Sequence, residues 1–293
     1  MDIPARVSVS QGIGAENSDF LSGPVLADTL YRFRQFKLNL EVFSSPLPSP
    51  SSGWIDALAL SSSRSEELES LQQSFWLCGL APNKRAGSAS LMLRFGWAAG
   101  FAIAAYLACA RVVVLRNYAI QFTPTMLLRA LWIGSAGFIG RRGDPLAGKS
   151  DWVRTIAPSA MRECLLENLI AFTEPVVLAQ HAWSGFSPGA LWAMVTSSWA
   201  EQFVNVARQM GDESVGVREA RAIFAVLPKV RSAAPELYEV ASGGYKRTCQ
   251  RRAACCLYFK NDQRYFCASC PIIPESERLE RNRAWIAGGE QPA

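Results

Sequence analysis

Four cysteines crowd the C-terminal part of the chain, in the stretch GGYKRTCQRRAACCLYFKNDQRYFCASCP. Their order is Cys255-Cys256, ten residues, Cys267, two residues, Cys270. Four thiolates this close repel one another unless a cation holds them, and a soft metal is the natural partner. Zinc and iron–sulfur are the two options. Zinc sites usually pair cysteines about two to four residues apart on both sides. Here one side is a vicinal pair, whose side chains diverge and reach one small tetrahedral ion only with strain. A larger cluster accepts ligands from more divergent directions, although this spacing differs from both common ferredoxin patterns.

The spacer LYFKNDQRYF has its own logic. Asn261-Asp262 is a turn signal, flanked by Tyr258-Phe259 and Tyr265-Phe266, which predicts a hairpin that brings the two cysteine pairs together. Its aromatic residues would shield the site or simply pack the hairpin. Lys246, Arg247, Arg251 and Arg252 lie just upstream. Beside an iron–sulfur cluster such cations favour the more negative reduced form and raise the potential. Read without a cluster, they are an exposed basic loop.

The remaining chemistry is sparse. Cys78, Cys109 and Cys164 sit in apolar helical contexts and are expected in the core, and Cys249 is read as a free thiol near the cluster motif. His181 is the one histidine and falls near a helix end, so imidazole chemistry has a single candidate. Trp183, Trp192 and Trp199 are expected mainly as core residues.

The chain has 293 residues, 49% hydrophobic and 19% charged, which is apolar enough for a real core and excludes a disordered chain. A net charge of +5, from 30 basic and 25 acidic residues, is small for a protein that lives on nucleic-acid phosphates, so no nucleic-acid partner is expected. The first twenty residues carry Asp2 and no apolar stretch, so no secretory signal is read and a cytoplasmic location is expected. The most apolar run, Phe95 to Ala110, is shorter than the roughly 20 residues of a spanning helix and reads as a core helix. Peripheral contact with the inner membrane stays open.

The expected fold class is α+β: a helix-dominated body, a few strands and a C-terminal cysteine-rich iron–sulfur hairpin module. Phe36, Leu38, Leu40 and Val42 alternate as in a half-buried strand, with Tyr31 and Phe33 out of phase across a bulge near Gln35. SSPLPSPSSG at 44–53 is a linker and internal boundary. Helices are expected at Arg64–Trp76, Ser88–Ala110, Met126–Ile133, Ser159–Trp183 (kinked or divided at Pro175), Pro188–Met210 and Val217–Leu227. Another is expected within PESERLERNRAWIAGG. Val112–Leu115 and Tyr118–Phe122 read as short buried strands, and Gly134–Gly148 as a loop. Three segments follow: 1–53, a body at 54–242, and 243–293 with the cysteines.

With these residues in view, the sequence resembles the FhuF-type siderophore-iron reductase family, whose C-terminal Cys-Cys-x10-Cys-x2-Cys motif is matched without a gap by Cys255, Cys256, Cys267 and Cys270. Gly243-Gly244, the Arg-rich approach, CCLYF and CASCP fit as well. A looser likeness runs over most of 88–272, where the paired helices 159–210 are similar to a helical region of hydroxamate-siderophore synthetases. Where the family often has Trp-Gly-Asn, this chain reads Leu191-Trp192-Ala193-Met194. The resemblance implies that the four cysteines bind a [2Fe–2S] cluster. It also implies an oxidoreductase, a ferric-siderophore reductase that delivers one electron to siderophore-bound Fe(III). The paired helices would then form the docking body, with aromatic walls from residues such as Trp183 or Trp199. Gly134, Gly137 and Gly140 have the wrong spacing for a dinucleotide fingerprint. The electron would therefore come from an external donor, a ferredoxin or a flavin- or NAD(P)H-dependent reductase. The alternatives are a zinc-stabilised interaction module without catalysis, and an electron-transfer protein with another acceptor.

Overall fold

The run Val112-Val113-Val114-Leu115 opens a β-hairpin that organises half of the molecule. In the computed structural model, which describes residues 23–44, 53–64, 66–261 and 265–288, β3 (Arg111–Phe122) pairs antiparallel with β4 (Leu128–Arg141). The two short strands expected here are one, continuous across a register shift between Leu115 and Tyr118. Met126–Ile133, expected to be helical, is instead the end of a turn followed by β4 from Leu128, and the first half of the expected loop Gly134–Gly148 is also β4. A tight turn reverses the chain, with the Thr123 hydroxyl accepting from the Leu127 amide (3.0 Å) and Met126 left-handed at φ 61°. The partner strand then supplies the ladder that helix propensity cannot offset. The glycines make room for neighbours: a Cβ at Gly134, Gly137 or Gly140 would come within 2.4 Å of Trp132, Val153 or Trp152 respectively.

Three short strands complete this sheet in the order β1-β4-β3-β2, with β5 also on β4. They are β1 (Glu41–Phe43), β2 (Trp54–Asp56) and β5 (Trp152–Ile156); β1 and β5 run parallel to β4. The strand expected at 36–42 is corrected accordingly. Its alternation is real as burial, with Leu40 and Val42 in the core and Lys37, Asn39 and Glu41 exposed, but only Glu41–Phe43 pair. Tyr31 and Phe33 belong to α1 (Pro24–Phe33), which buries Val25, Leu26, Thr29, Leu30 and Phe33 on one helical face. Asp151 closes the N-terminus of α1 by accepting from the amides of Val25 (3.2 Å) and Leu26 (2.8 Å). Most of the expected linker lies outside the described residues.

Of the helices α2 (Ala57–Leu60), α3 (Glu66–Leu77), α4 (Lys84–Phe95), α5 (Gly100–Cys109), α6 (Met161–Ser184), α7 (Pro188–Gln209), α8 (Glu213–Val226) and α9 (Pro228–Ala233), α2, α5 and α6 pack on the sheet, while α7 packs on α4, α5, α6, α8 and α9. The single apolar helix expected at Ser88–Ala110 is two helices joined by a 3-10 turn at Gly96–Ala99. By length and composition Lys84–Cys109 would cross a membrane, yet 67% of its most apolar window is buried within the protein. Gly96 and Gly100 lie against Ser198 and Gln202 of α7, where a Cβ would meet them at 2.8 and 2.7 Å. The α6 helix continues through Pro175 as one element.

The chain ends in β6 (Glu236–Ser242), β7 (Tyr245–Arg251) and α10 (Glu275–Gly288). β6 and β7 form a hairpin around Gly243-Gly244, both at positive φ (58° and 80°), as a tight two-residue turn requires. The division drawn at 242 thus falls inside a hairpin. One continuous core runs from Val25 to Cys256 and crosses both boundaries read from the sequence. The protein is α+β and helix-dominated, with 54% helix and 20% strand among the described residues.

Candidate metal centre

The site is built where β7 ends. Arg252 donates its amide to the Ser269 carbonyl (3.0 Å), which ties the approach to Cys255-Cys256 to the Cys267–Cys270 loop. Within that loop the Cys270 amide donates to the Cys267 carbonyl (3.0 Å). On the other side the chain turns sharply after the vicinal pair. Leu257 is left-handed at φ 61°, an uncommon state for a branched residue. Its amide donates to the Cys255 sulfur (3.3 Å). This turn answers the divergence of adjacent side chains. The four thiols lie close enough to shift one another's titration: Cys255 and Cys267 each feel both Cys256 and Cys270. Cys256 and Cys270 are buried; Cys255 and Cys267 are half-buried.

The ends of the spacer do meet, but not as a β-hairpin. Tyr258–Lys260 form a 3-10 turn, and Phe259 stacks on Phe266 with centroids 4.9 Å apart and planes 14° from parallel. Residue Asp262 of the expected turn lies outside the described residues. Local aromatic stacking and the left-handed Leu257 take the place of a strand ladder.

Helix α10 clamps the second cysteine pair. Arg278, Arg281 and Asn282 fall on one face of the helix. Arg278 donates to the carbonyls of Cys270 (3.4 Å) and Ile273 (3.3 Å), Arg281 to that of Phe266, and Asn282 to that of Ala268 (3.4 Å). Arg281 also lies over the Tyr265 ring (5.0 Å). The i, i+3, i+4 spacing of Arg278, Arg281 and Asn282 is the sequence signal for this role.

Of the four upstream cations, only Arg252 reaches the thiols. Its Nη1 is 3.1 Å from the Cys267 sulfur and 3.3 Å from that of Cys256, and its Nε donates to Ser197 (3.3 Å). Ser197 donates in turn to Gln250 (2.9 Å). Lys246 pairs with Glu239 (2.6 Å) and Arg251 with Glu236 (3.3 Å) across the exposed hairpin, and Arg247 lies over Tyr245 (5.7 Å). Hydrogen bonds from Cys256 and Cys270, then the Arg252 charge and Ser269, outweigh burial and hold the Cys267 thiol far below its usual range. Cys256 is pushed up first by Cys255 and then by Cys267, and Cys270 by Cys267. The Cys256 partner, opposed by burial, brings Cys255 down to about 6. Titration therefore belongs to the set and not to any one thiol.

The other sequence candidates sit elsewhere. Trp199 is fully buried, edge-on to Trp192 at 6.0 Å, and faces no substrate. Trp183 lines an open cleft of about 430 Å³ with Trp76, Gln72 and Lys84, whose ammonium stands over the Trp183 ring at 4.8 Å. His181 bonds the Phe186 carbonyl at the end of α6 (2.8 Å). Cys164 is buried as expected, whereas Cys78 is exposed just after α3 and donates to the Pro124 carbonyl (3.4 Å), so its core assignment is corrected. Cys249 is buried beside Val240 and Ile286, in a small core apart from the four thiols, and burial pushes its thiol up to about 11.

Among the described residues, no group of three or more His, Cys, Asp or Glu side chains is placed so that it could hold a metal ion. The chemistry of the donors nevertheless suits a soft metal: four thiols, with a guanidinium and a backbone amide aimed at the sulfurs. Metal binding would convert thiols to thiolates and release protons. No protein-family model and no curated protein matches this sequence. The likeness to FhuF-type proteins thus rests on the cysteine spacing and its surroundings.

Proposed function

We propose that this chain is a [2Fe–2S] oxidoreductase of the FhuF type, which reduces siderophore-bound Fe(III) to Fe(II) inside the cell. The observation that carries the reading is the convergence of the pairs Cys255-Cys256 and Cys267/Cys270 on one site, where the Arg252 Nη1 donates to a sulfur of each pair. When bound, such a cluster stores one electron and passes it on. The electron leaves an external donor and ends on the ferric ion. Hard oxygen donors grip Fe(III) far better than Fe(II), so the iron is then released from its chelate.

The chain's own residues have definite tasks in this account. Cys256 and Cys270 anchor the site to the core, while half-buried Cys255 and Cys267 give it an edge that a substrate or donor can approach. Arg252 stabilises negative charge on the sulfurs. The Phe259–Phe266 stack and Tyr265 limit water on one flank, and α10 fixes the loop against recoil. No imidazole or nucleophile is needed.

The test is to reduce the protein anaerobically and mix it with ferric hydroxamate and ferric catecholate complexes while following the visible absorbance. Reoxidation by a ferric siderophore, with one Fe(II) trapped per electron lost, supports the reading. A protein that carries zinc and no sulfide, and does not exchange electrons, is the interaction module instead.

A further inference from the structure

Arg94 is a half-buried guanidinium with no carboxylate partner among the described residues. It lies one residue before the end of α4, the helix that packs on the 3-10 turn at Tyr258–Lys260. Its Nη1 donates to the Ser90 carbonyl (3.2 Å), its plane stands over the fully buried Phe75 ring (5.3 Å), and its Nε is buried without a partner. It makes no ion pair with a carboxylate among the described residues. Burial works against its charge, and the groups whose charges it feels are Tyr258, Cys256, Arg252 and Cys78. An arginine does not deprotonate in a protein. A guanidinium whose Nε is buried without a partner gains from a negative group nearby.

The thiol site supplies one. Arg252 likewise has no carboxylate ion pair among the described residues, and burial holds Glu201 toward its neutral form. Two guanidinium charges without a carboxylate partner among the described residues therefore face one site. Four thiolates around a core of charge +2 carry about −2, and about −3 after reduction. We infer that Arg94 is the second counter-cation of this site, a positioning residue that acts from the α4 side and stabilises the reduced state. The inference rests on the reading of the cysteines as a cluster site. Arg252 acts through hydrogen bonds to sulfur, whereas Arg94 acts through charge across a dry interior, where screening is weak.

The experiment is a redox titration of the wild-type, Arg94→Gln and Arg94→Lys proteins, each assayed for iron, sulfide and thermal unfolding. Arg94→Gln should keep its cluster and shift to a lower potential. At the wild-type midpoint its reduced-to-oxidised ratio should fall several-fold, where tenfold corresponds to about 59 mV for a one-electron couple. Arg94→Lys should stay near the wild type because the charge remains. If Arg94→Gln loses the cluster while Arg94→Lys keeps it at the wild-type potential, the requirement for charge stands. An intact Arg94→Gln cluster at unchanged or higher potential overturns the inference, and so does loss of the cluster from both variants. Wild-type protein without iron and sulfide overturns the underlying reading first.

Discussion

The Nη1 of Arg252 lies 3.1 Å from the sulfur of Cys267. A charged donor this close to a ligand sulfur stabilises the more electron-rich state of whatever the sulfur binds. Arg252→Gln should therefore lower the cluster potential, by about 59 mV if the reduced-to-oxidised ratio changes tenfold. Arg251→Gln should not, because Arg251 is exposed and paired with Glu236 at 3.3 Å. Optical redox titration of both variants separates them. Equal shifts would show that general surface charge, not this contact, sets the potential.

Helix α10 should matter more for retention of the cluster than for its potential. Arg278→Ala strands the buried carbonyls of Cys270 and Ile273. The expected loss is about 1–3 kcal/mol of stability, the cost of unsatisfied buried polar groups. It should appear as a lower midpoint in urea and faster bleaching in the presence of a chelator. A variant that bleaches at the wild-type rate would remove the clamp from the account.

Trp199→Ala should behave as a core deletion. The ring is fully buried against Trp192, so the expected cost is about 3–5 kcal/mol. Trp183→Ala removes a cleft wall and one cation–π contact with Lys84, worth about 0.5–1 kcal/mol. Thermal unfolding of the two proteins should differ widely. If Trp199→Ala melts like the wild type, the core assignment of α7 fails.

Acid should attack the join between α1 and the main hairpin. Arg111 binds Asp144 through two nitrogens (2.7 and 3.0 Å) and Asp28 through a third (2.6 Å). Burial raises both carboxyls, but the bonds and charge of Arg111 outweigh it and leave both below the usual range. A depressed folded-state pKa gives stability that is complete above the unfolded value, about 3.9. That stability is lost as pH falls through the folded pKa. Asp144→Asn should cost about 3 kcal/mol at neutral pH, because Arg111 stays buried with one partner lost. It should also flatten the loss of stability below about pH 4. Urea melts from pH 7 to pH 2 test this, and an unchanged acid slope in the variant would contradict it.

The sequence made some features plain and hid others for physical reasons. The α6 and α7 helices were readable because their apolar positions repeat over six turns. Strand β4 was not, because Gly134, Gly137 and Gly140 read as loop residues until Trp132, Val153 and Trp152 are seen to fill the space above them. Helix α1 was masked by the alternation that follows it, which continues in burial though not in pairing. Proximity of the two cysteine pairs was legible in the spacer, whereas its means, Leu257 and the Phe259–Phe266 stack, was not. Arg94 is more than 150 residues from Cys256 in the chain, and only the packing of α4 on Tyr258–Lys260 brings it into the account.

The central claim is that Cys255, Cys256, Cys267 and Cys270 ligate a [2Fe–2S] cluster. The most direct measurement is iron and acid-labile sulfide per chain, with the visible spectrum, after anaerobic purification of the wild type and of single Cys→Ser variants. The account predicts about two irons and two sulfides in a coloured wild-type protein. It predicts loss or strong alteration of the spectrum for each of the four ligand variants, and an unchanged spectrum for Cys78→Ser, Cys109→Ser and Cys164→Ser. A colourless wild type holding zinc, or a Cys256→Ser protein with full iron, sulfide and spectrum, would contradict it.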